Sequence, residues 1–214
     1  MKYKEQGEMT TKQKIANFWD YHRIHILAGA LFLVFIIMTV VECTKSQNPD
    51  IGIGYVSYDY RDHQKLEEEL EKVLGDENGD GQNYVFCDNV VLNETPQTDQ
   101  DSMMMQKVTV MFVSGEYRMY IMDRDFFETD IYGDMFIDLT DVVDEKLLDN
   151  AYKMYGVPIA LKTTDCKFLK DIDFCGDNLY VGLTAVGAPD EGNKNIDKEV
   201  ETAKKALKIL IEGK

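Results

Sequence analysis

Histidine is nearly absent from the chain: three residues in 214, at His22, His25 and His63. The first two sit at a long apolar run, so any Ser-His-Asp or Cys-His mechanism would have to pass through His63. His63 lies among Asp59, Arg61 and Asp62 at the start of a helical pattern, a setting that suits a solvated or capping residue. Histidine-rich zinc catalysis is excluded by count. Cysteine is also sparse, at Cys43, Cys87, Cys166 and Cys175, with no C-x-x-C spacing. That excludes a zinc knuckle and a thioredoxin-like site. The one tryptophan, Trp19, lies beside the apolar run, so the remainder has no indole platform of the kind common in sugar clefts. Positive charge is in deficit as well. Residues 1–25 carry five basic and three acidic side chains, whereas the remainder carries 18 basic against 36 acidic, a net −18. Such a surface lacks the basic footprint that phosphate binding needs, so nucleic acid is excluded as a partner, and anionic head groups would repel it. The ordinary consequence of this charge is solubility.

What the chain does have is an apolar run over residues 24–41, with His25 at its edge as the only ionisable side chain. Eighteen residues at about 1.5 Å each give roughly 27 Å, close to the thickness of a bilayer's hydrocarbon. Trp19 and Tyr21 precede the run as interfacial aromatics, and Arg23 can snorkel. Five Lys/Arg lie before it (Lys2, Lys4, Lys12, Lys14 and Arg23) and only Lys45 follows closely. This asymmetry predicts a cytoplasmic N-terminus and an extracytoplasmic C-terminal domain. The run is longer than a typical signal-peptide core and no small-x-small site follows it. Cys43 invites a lipoprotein reading, but Glu42 stands where processing wants a small residue. The expectation is therefore an uncleaved signal anchor. Residues 1–23 form a juxtamembrane segment, 24–43 the transmembrane helix, 44–49 a linker and 50–214 one domain. About 165 residues suffice for a core without staples.

Within that domain, residues 51–56 alternate as a strand. Residues 62–74 carry Leu66, Leu70, Val73 and Leu74 at helical spacing, with Asp62 as N-cap and Gly75 as C-cap. Gly79 and Gly81 mark a turn before a strand over 84–92. Residues 102–114 fit a buried helix, although Val108-Thr109-Val110 fits a strand equally well. Gly115 decides for helix. Strands over 117–122, 136–139 and 179–186, a short helix over 123–128 and an amphipathic helix over 197–210 complete the reading. Strands separated by helices predict an α/β domain with a mostly parallel sheet.

The order of these pieces resembles a known family. Ile51-Gly52-Ile53-Gly54-Tyr55-Val56 opens a first strand, and Met111-Phe112-Val113-Ser114-Gly115-Glu116 leads into a strand ending at Asp123. Phe136-Ile137-Asp138-Leu139-Thr140 and Tyr155-Gly156-Val157-Pro158-Ile159 follow. This is similar to the first lobe of extracellular solute-binding proteins of the ABC-transporter type. Asn17-Phe18-Trp19 with Tyr21, and the Asn78-Gly79-Asp80-Gly81 turn, further resemble single-pass membrane proteins of Gram-positive anaerobes, over most of the chain. The resemblance implies a solute-binding-like lobe held at the membrane. Solute-binding proteins close two lobes on a ligand in about twice this length, and here the second lobe is mostly missing. No ligand residues are carried over.

Five groups of residues are candidates for chemistry. Asp76, Asn78 and Asp80 lie in Asp76-Glu77-Asn78-Gly79-Asp80-Gly81, the first half of a calcium loop with oxygen at positions 1, 3 and 5 and glycine at 6, and the Gln82 carbonyl, Asp88 and water could complete the shell. Position 12 is Cys87 rather than glutamate, so the competing reading is a polar turn. Cys166 and Cys175 could close a small disulfide outside the membrane, if their Cα atoms approach within about 7 Å. The alternative is two separate thiols. Asp123, Asp125, Glu128, Asp130 and Asp134 gather after a predicted strand, where α/β sheets collect ligands, or form a solvated acidic loop. Tyr55, Tyr58, Tyr60, Tyr117 and Tyr120 are available for stacking. Met103, Met104, Met105 and Met111 read as core filling, with a partner groove as the alternative.

The functional expectation is a membrane-anchored binding or interaction module for an envelope protein or a small ligand. One alternative is an enzyme acting on envelope glycans through paired carboxylates. A second is a calcium-stabilised structural domain.

Overall fold

The structure, a computed structural model, describes residues 11–44, 48–95, 98–184 and 194–213. Lys2 and Lys4, residues 45–47 of the expected linker, and the end of the expected strand at 185–186 lie outside the described residues. The chain divides into two compact units, Met1–Gln47 and Asn48–Lys214.

The first unit is helix α1 (Thr11–Thr44). Its stretch Phe18–Thr39, 22 residues of mean hydropathy 1.8, is long and apolar enough to cross a membrane. At 1.5 Å per residue it measures roughly 33 Å. It starts earlier than the expected Ile24, because Phe18, Trp19 and Tyr21 extend the apolar stretch. The Thr39 hydroxyl donates to the Phe35 carbonyl at 2.9 Å, so this polar side chain is satisfied by its own helix.

The second unit runs β1 (Ile51–Ser57), α2 (Gln64–Leu74), β2 (Val85–Val91), α3 (Asp99–Ser114), β3 (Met119–Asp123) and α4 (Arg124–Phe127). Then come α5 (Asp130–Gly133), α6 (Glu145–Leu148), β4 (Tyr152–Met154), β5 (Val157–Lys162), α7 (Lys167–Asp171), β6 (Leu179–Leu183) and α8 (Lys194–Glu212). The six strands form one mixed sheet in the order β2-β1-β3-β6-β5-β4. The expected parallel character holds across β2-β1-β3, and the three pairings beyond β3 are antiparallel.

All seven residues of β1 are buried, as befits a strand covered on both faces. Ile51, Ile53 and Tyr55 pack with Leu66, Leu70 and Leu74 of α2 and with Ala203, Leu207 and Leu210 of α8. Val56 packs on the opposite face with Val108, Met111 and Phe112 of α3. The two crossover helices that leave and return to the parallel strands therefore lie on opposite sides of the sheet, giving three layers. On the α3 side, Gly52 and Gly54 leave room for aromatic rings. A Cβ at Gly54 would stand 2.5 Å from Cε1 of the buried Tyr120, whose ring stacks on Phe112 with centroids 4.1 Å apart. The Tyr120 hydroxyl donates to the Met111 carbonyl at 2.9 Å, fastening α3 to β3.

The outer edge of the sheet at β2 is closed by side chains. The Val85 amide donates to Glu71 Oε1 at 3.1 Å and the Cys87 amide to Glu67 Oε1 at 2.7 Å. These carboxylates occupy donors that an added strand would otherwise use.

Several elements differ from the sequence reading. The N-cap position of α2 is His63 rather than Asp62, and Asp62 instead accepts the Gln64 amide at 3.1 Å. Helix α3 starts before the expected Ser102, because Thr98 and Asp101 form a reciprocal capping box, and it ends as expected at Gly115, which is left-handed at φ +62°. Residues 136–139 form no strand beyond an isolated bridge between Phe136 and Thr184. The Ile137 amide donates to the Leu183 carbonyl and the Leu139 amide to the Pro158 carbonyl, each at 2.9 Å, and beyond them the Asp138 carboxylate turns the chain by accepting from the amide and hydroxyl of Thr140. The Tyr155-Gly156-Val157-Pro158-Ile159 segment leads into a strand, β5, which is the second arm of a hairpin. Its two-residue turn, Tyr155 at φ +51° and Gly156 at φ +86°, joins β4 to β5.

Replacing Gly54 with alanine drives a methyl group into the Tyr120 ring, which is held by Phe112 and Met111 and cannot retreat. Gly54→Ala is expected to lower stability by about 1–3 kcal/mol in chemical denaturation.

Candidate functional site

The three parallel strands end side by side at Ser57, Val91 and Asp123. Because the chain leaves β1 toward β2 on one side and reaches β3 on the other, the carboxyl ends of β1 and β3 form the topological switch point of the sheet. One carboxylate organises that point. The Ser57 hydroxyl donates to Asp123 Oδ2 at 2.8 Å, and the Tyr58 amide donates to the same oxygen at 2.8 Å. Ser57 Oγ in turn accepts the Asp59 amide at 3.1 Å. Ser57 and Asp123 are both buried. This turns the chain out of β1 and presents Tyr58, whose ring stacks on Phe126 with centroids 5.5 Å apart.

Beside this turn lies a cleft of about 530 Å³ lined by Tyr58, Asp59, Leu92, Asn93, Glu94 and the start of α3 at Thr98 and Asp101. Its floor is fixed by hydrogen bonds. Asp101 accepts from Asn93 Nδ2 at 2.5 Å, from the Thr98 hydroxyl at 2.7 Å and from the Thr98 amide at 2.8 Å. At the α3 N-terminus the Thr98 hydroxyl accepts the Asp101 amide at 3.2 Å, and the Asp101 carboxylate sets a negative charge beside the first turn. Among the described residues, the lining has no lysine, arginine or histidine. Burial, followed by the charges of Asp125, Asp123 and Glu94, holds the Tyr58 hydroxyl above the ordinary tyrosine range. A pocket of this kind, an aromatic face rimmed by carboxylates, favours ligands that bring hydroxyl groups or positive charge.

The sequence candidates fall in separate places. Asp76, Asn78, Asp80 and Gln82 lie at the opposite end of the sheet, before β2. Asp76 accepts the Gly79 amide at 2.6 Å and the Gly81 amide at 2.8 Å. Asn78 accepts the Asp80 amide, and Asp80 accepts the Gln82 amide. The loop is tied to the sheet by Asp50, which takes the amides of Glu77, Asn78 and Tyr84 at 2.7–2.9 Å. Asp50 went unread in the sequence, and its only signal was an acid directly before an apolar strand. No cluster of three or more His, Cys, Asp or Glu side chains able to hold a metal occurs among the described residues.

The acidic group after β3 disperses. Asp123 is taken up by Ser57 and Tyr58, Glu128 pairs with Arg124 at 2.8 Å, Asp125 and Asp134 are exposed, and the Asp130 side chain lies outside the described residues. Of the five tyrosines, Tyr55, Tyr117 and Tyr120 are buried in the core, Tyr60 is exposed, and only Tyr58 lines the cleft. Met111 and Met104 pack under α3, whereas Met103 and Met105 are exposed. His63 is half-buried, with Nδ1 3.4 Å from Asn89 Nδ2, in a separate acidic groove beside Glu67 and Glu71. Cys166 is buried and Cys175 partly exposed, and both stand as free thiols.

The chain matches no protein family, no curated protein and no solved structure.

Asp76→Ala removes two acceptors from the loop and is expected to cost about 1–3 kcal/mol of stability. If amides alone hold the loop, the loss is the same in chelator and in millimolar calcium, and a calcium-dependent difference in melting would reveal an ion. Tyr55, Tyr58, Tyr117 and Tyr120 all have raised pKa values, each chiefly through burial. Folding therefore favours their protonated forms, so this contribution is complete below about pH 10 and is lost as pH climbs past it. Absorbance titration of the phenolates should show these four lagging behind exposed tyrosines.

Proposed function

We propose that the protein is a membrane-anchored, extracytoplasmic binding module whose second unit takes a small polar ligand at the carboxyl ends of its parallel strands. The observation that carries this reading is the cleft at Tyr58, which lies beside the switch point and is framed by a turn that Asp123 holds rigid. Its lining selects for ligands with a positive charge or several hydroxyl groups and against anions. The apolar stretch of α1, preceded by Lys2, Lys4, Lys12 and Lys14 and carrying Arg23 near its start, supports the anchor and the outward placement of the acidic unit. A solute-binding-like lobe agrees with the order of elements read from the sequence. With one lobe, the ligand would be held on an open face rather than enclosed, which suits handing it to, or sensing it with, a neighbouring envelope protein.

Thermal-shift measurements on the full-length protein in detergent test the ligand class. Amines, amino acids and amino sugars are set against neutral sugars and against phosphates and dicarboxylates. Stabilisation by cationic or hydroxyl-rich compounds that Tyr58→Ala weakens at least tenfold in apparent affinity is the expected result. Stabilisation by anions alone, or hits indifferent to Tyr58→Ala, would overturn the assignment. Protease accessibility of the second unit in sealed vesicles of known orientation tests its side of the membrane independently.

A further inference from the structure

The segment between β5 and β6 doubles back on itself and carries one cysteine on each arm. After β5 a single 3₁₀ turn (Thr163–Asp165) brings Cys166 to the N-cap position of α7. Helix α7 is one short turn and closes in a left-handed residue, Asp173 at φ +61°. The Asp173 amide donates to the Lys170 carbonyl at 3.1 Å and the Phe174 amide to the Leu169 carbonyl at 2.8 Å, the Schellman pattern that reverses a chain at a helix end. The chain then returns through Phe174 and Cys175 to Gly176. There the Thr163 hydroxyl accepts the Gly176 amide at 3.1 Å and lies 3.2 Å from the Gly176 carbonyl. The loop is thus tied at two levels, Leu169 to Phe174 and Thr163 to Gly176. Along the chain, Cys166 falls between Thr163 and Leu169 on the outgoing arm, and Cys175 between Phe174 and Gly176 on the returning one, so both lie within the segment that the two ties enclose. Both side chains pack into the layer under α8, Cys166 fully buried and Cys175 partly exposed.

We propose that Cys166 and Cys175 are a redox pair, closed to an intramolecular disulfide by exchange with a disulfide-bearing oxidant. In the first step the Cys175 thiolate attacks the oxidant's disulfide, forming a mixed disulfide and releasing one thiol. In the second, Cys166 loses its proton and attacks Cys175 Sγ, forming the internal bond and releasing the second thiol. Two protein thiols are oxidised and one external disulfide is reduced to two thiols. The order follows from access, since only Cys175 reaches solvent. Burial, with the Asp165 charge adding to it, pushes the Cys166 thiol up to about 12, so the second step is slow and quickens as pH rises. The outward placement argued above supplies the oxidising compartment, and the chemistry can be tested without it.

Purified full-length protein is incubated with oxidised glutathione and mapped by non-reducing peptide mass spectrometry. The expected product is a crosslink joining the Cys166 and Cys175 peptides, preceded by a transient glutathione adduct on Cys175. In Cys166→Ser the adduct should persist, and in Cys175→Ser neither adduct nor crosslink should form. The oxidised wild type should melt a few degrees above the reduced form. A lasting adduct on wild-type Cys175, a Cys175 crosslink to Cys43 or Cys87, or two unmodified thiols would overturn the pairing. Vesicle proteolysis separately decides the side of the membrane.

Discussion

The rings of Tyr117 and Tyr120 pack against β1 because Gly52 and Gly54 present no Cβ to that face. This is the tightest steric condition at the parallel centre of the sheet. It lets Phe112 stack on Tyr120 and lets α3 come close enough for the Tyr120 hydroxyl to reach the Met111 carbonyl. With α3 seated, β3 lies parallel to β1 from Ile53 opposite Met119 to Val56 opposite Met122. That register carries Asp123 to the end of Ser57. The geometry of the cleft mouth is thus a remote consequence of two missing methyl groups in the middle of the sheet.

The acidity of the second unit has a structural meaning beyond solubility. Asp50, Glu67, Glu71, Asp76, Asp80, Asp101 and Asp123 each accept backbone amides. They sit where regular structure runs out: before a strand, along an edge, around a glycine turn, at a helix start and at a strand end. Hydrogen bonds from amides to a charged acceptor are stronger than neutral ones, so these carboxylates hold loops that have little apolar surface to bury. Charge and fold are here the same property seen at two scales.

The apolar helix, the covered central strand and the amphipathic helices were legible in the sequence, because each depends on a local period that burial enforces. Leu66, Leu70 and Leu74 face one layer as their spacing required. The capping residue Gly115 settled the helix-or-strand ambiguity over 102–114. What escaped was set by single side chains acting over long separations. Asp50 reaches residues 77, 78 and 84, and Asp123 reaches Ser57, through contacts that leave no periodic trace. Residues 136–139 looked like a strand from composition; they bond to β6 and β5 through single amides, and the Asp138–Thr140 contact turns the chain before a ladder is built. The candidate cleft opens at the ends of β1 and β2, and the acidic run after β3, none of whose residues lines it, did not point there. Its true aromatic, Tyr58, could not be told from four other tyrosines without knowing which faces the core covers.

The two glutamates on α2 that grip β2 also act as a ruler. Glu67 and Glu71 are one helical turn apart, a rise of about 6 Å, and the amides of Cys87 and Val85 are two strand residues apart, about 6.6 Å. The two spacings agree only when helix and strand run antiparallel at one offset. A slip of either element by a single residue would turn both contacts away together. The pair therefore sets the axial position of α2 on the sheet in a way that greasy leucines, interchangeable along a helix face, cannot. A residue inserted between Glu67 and Glu71 would put helix and strand permanently out of step.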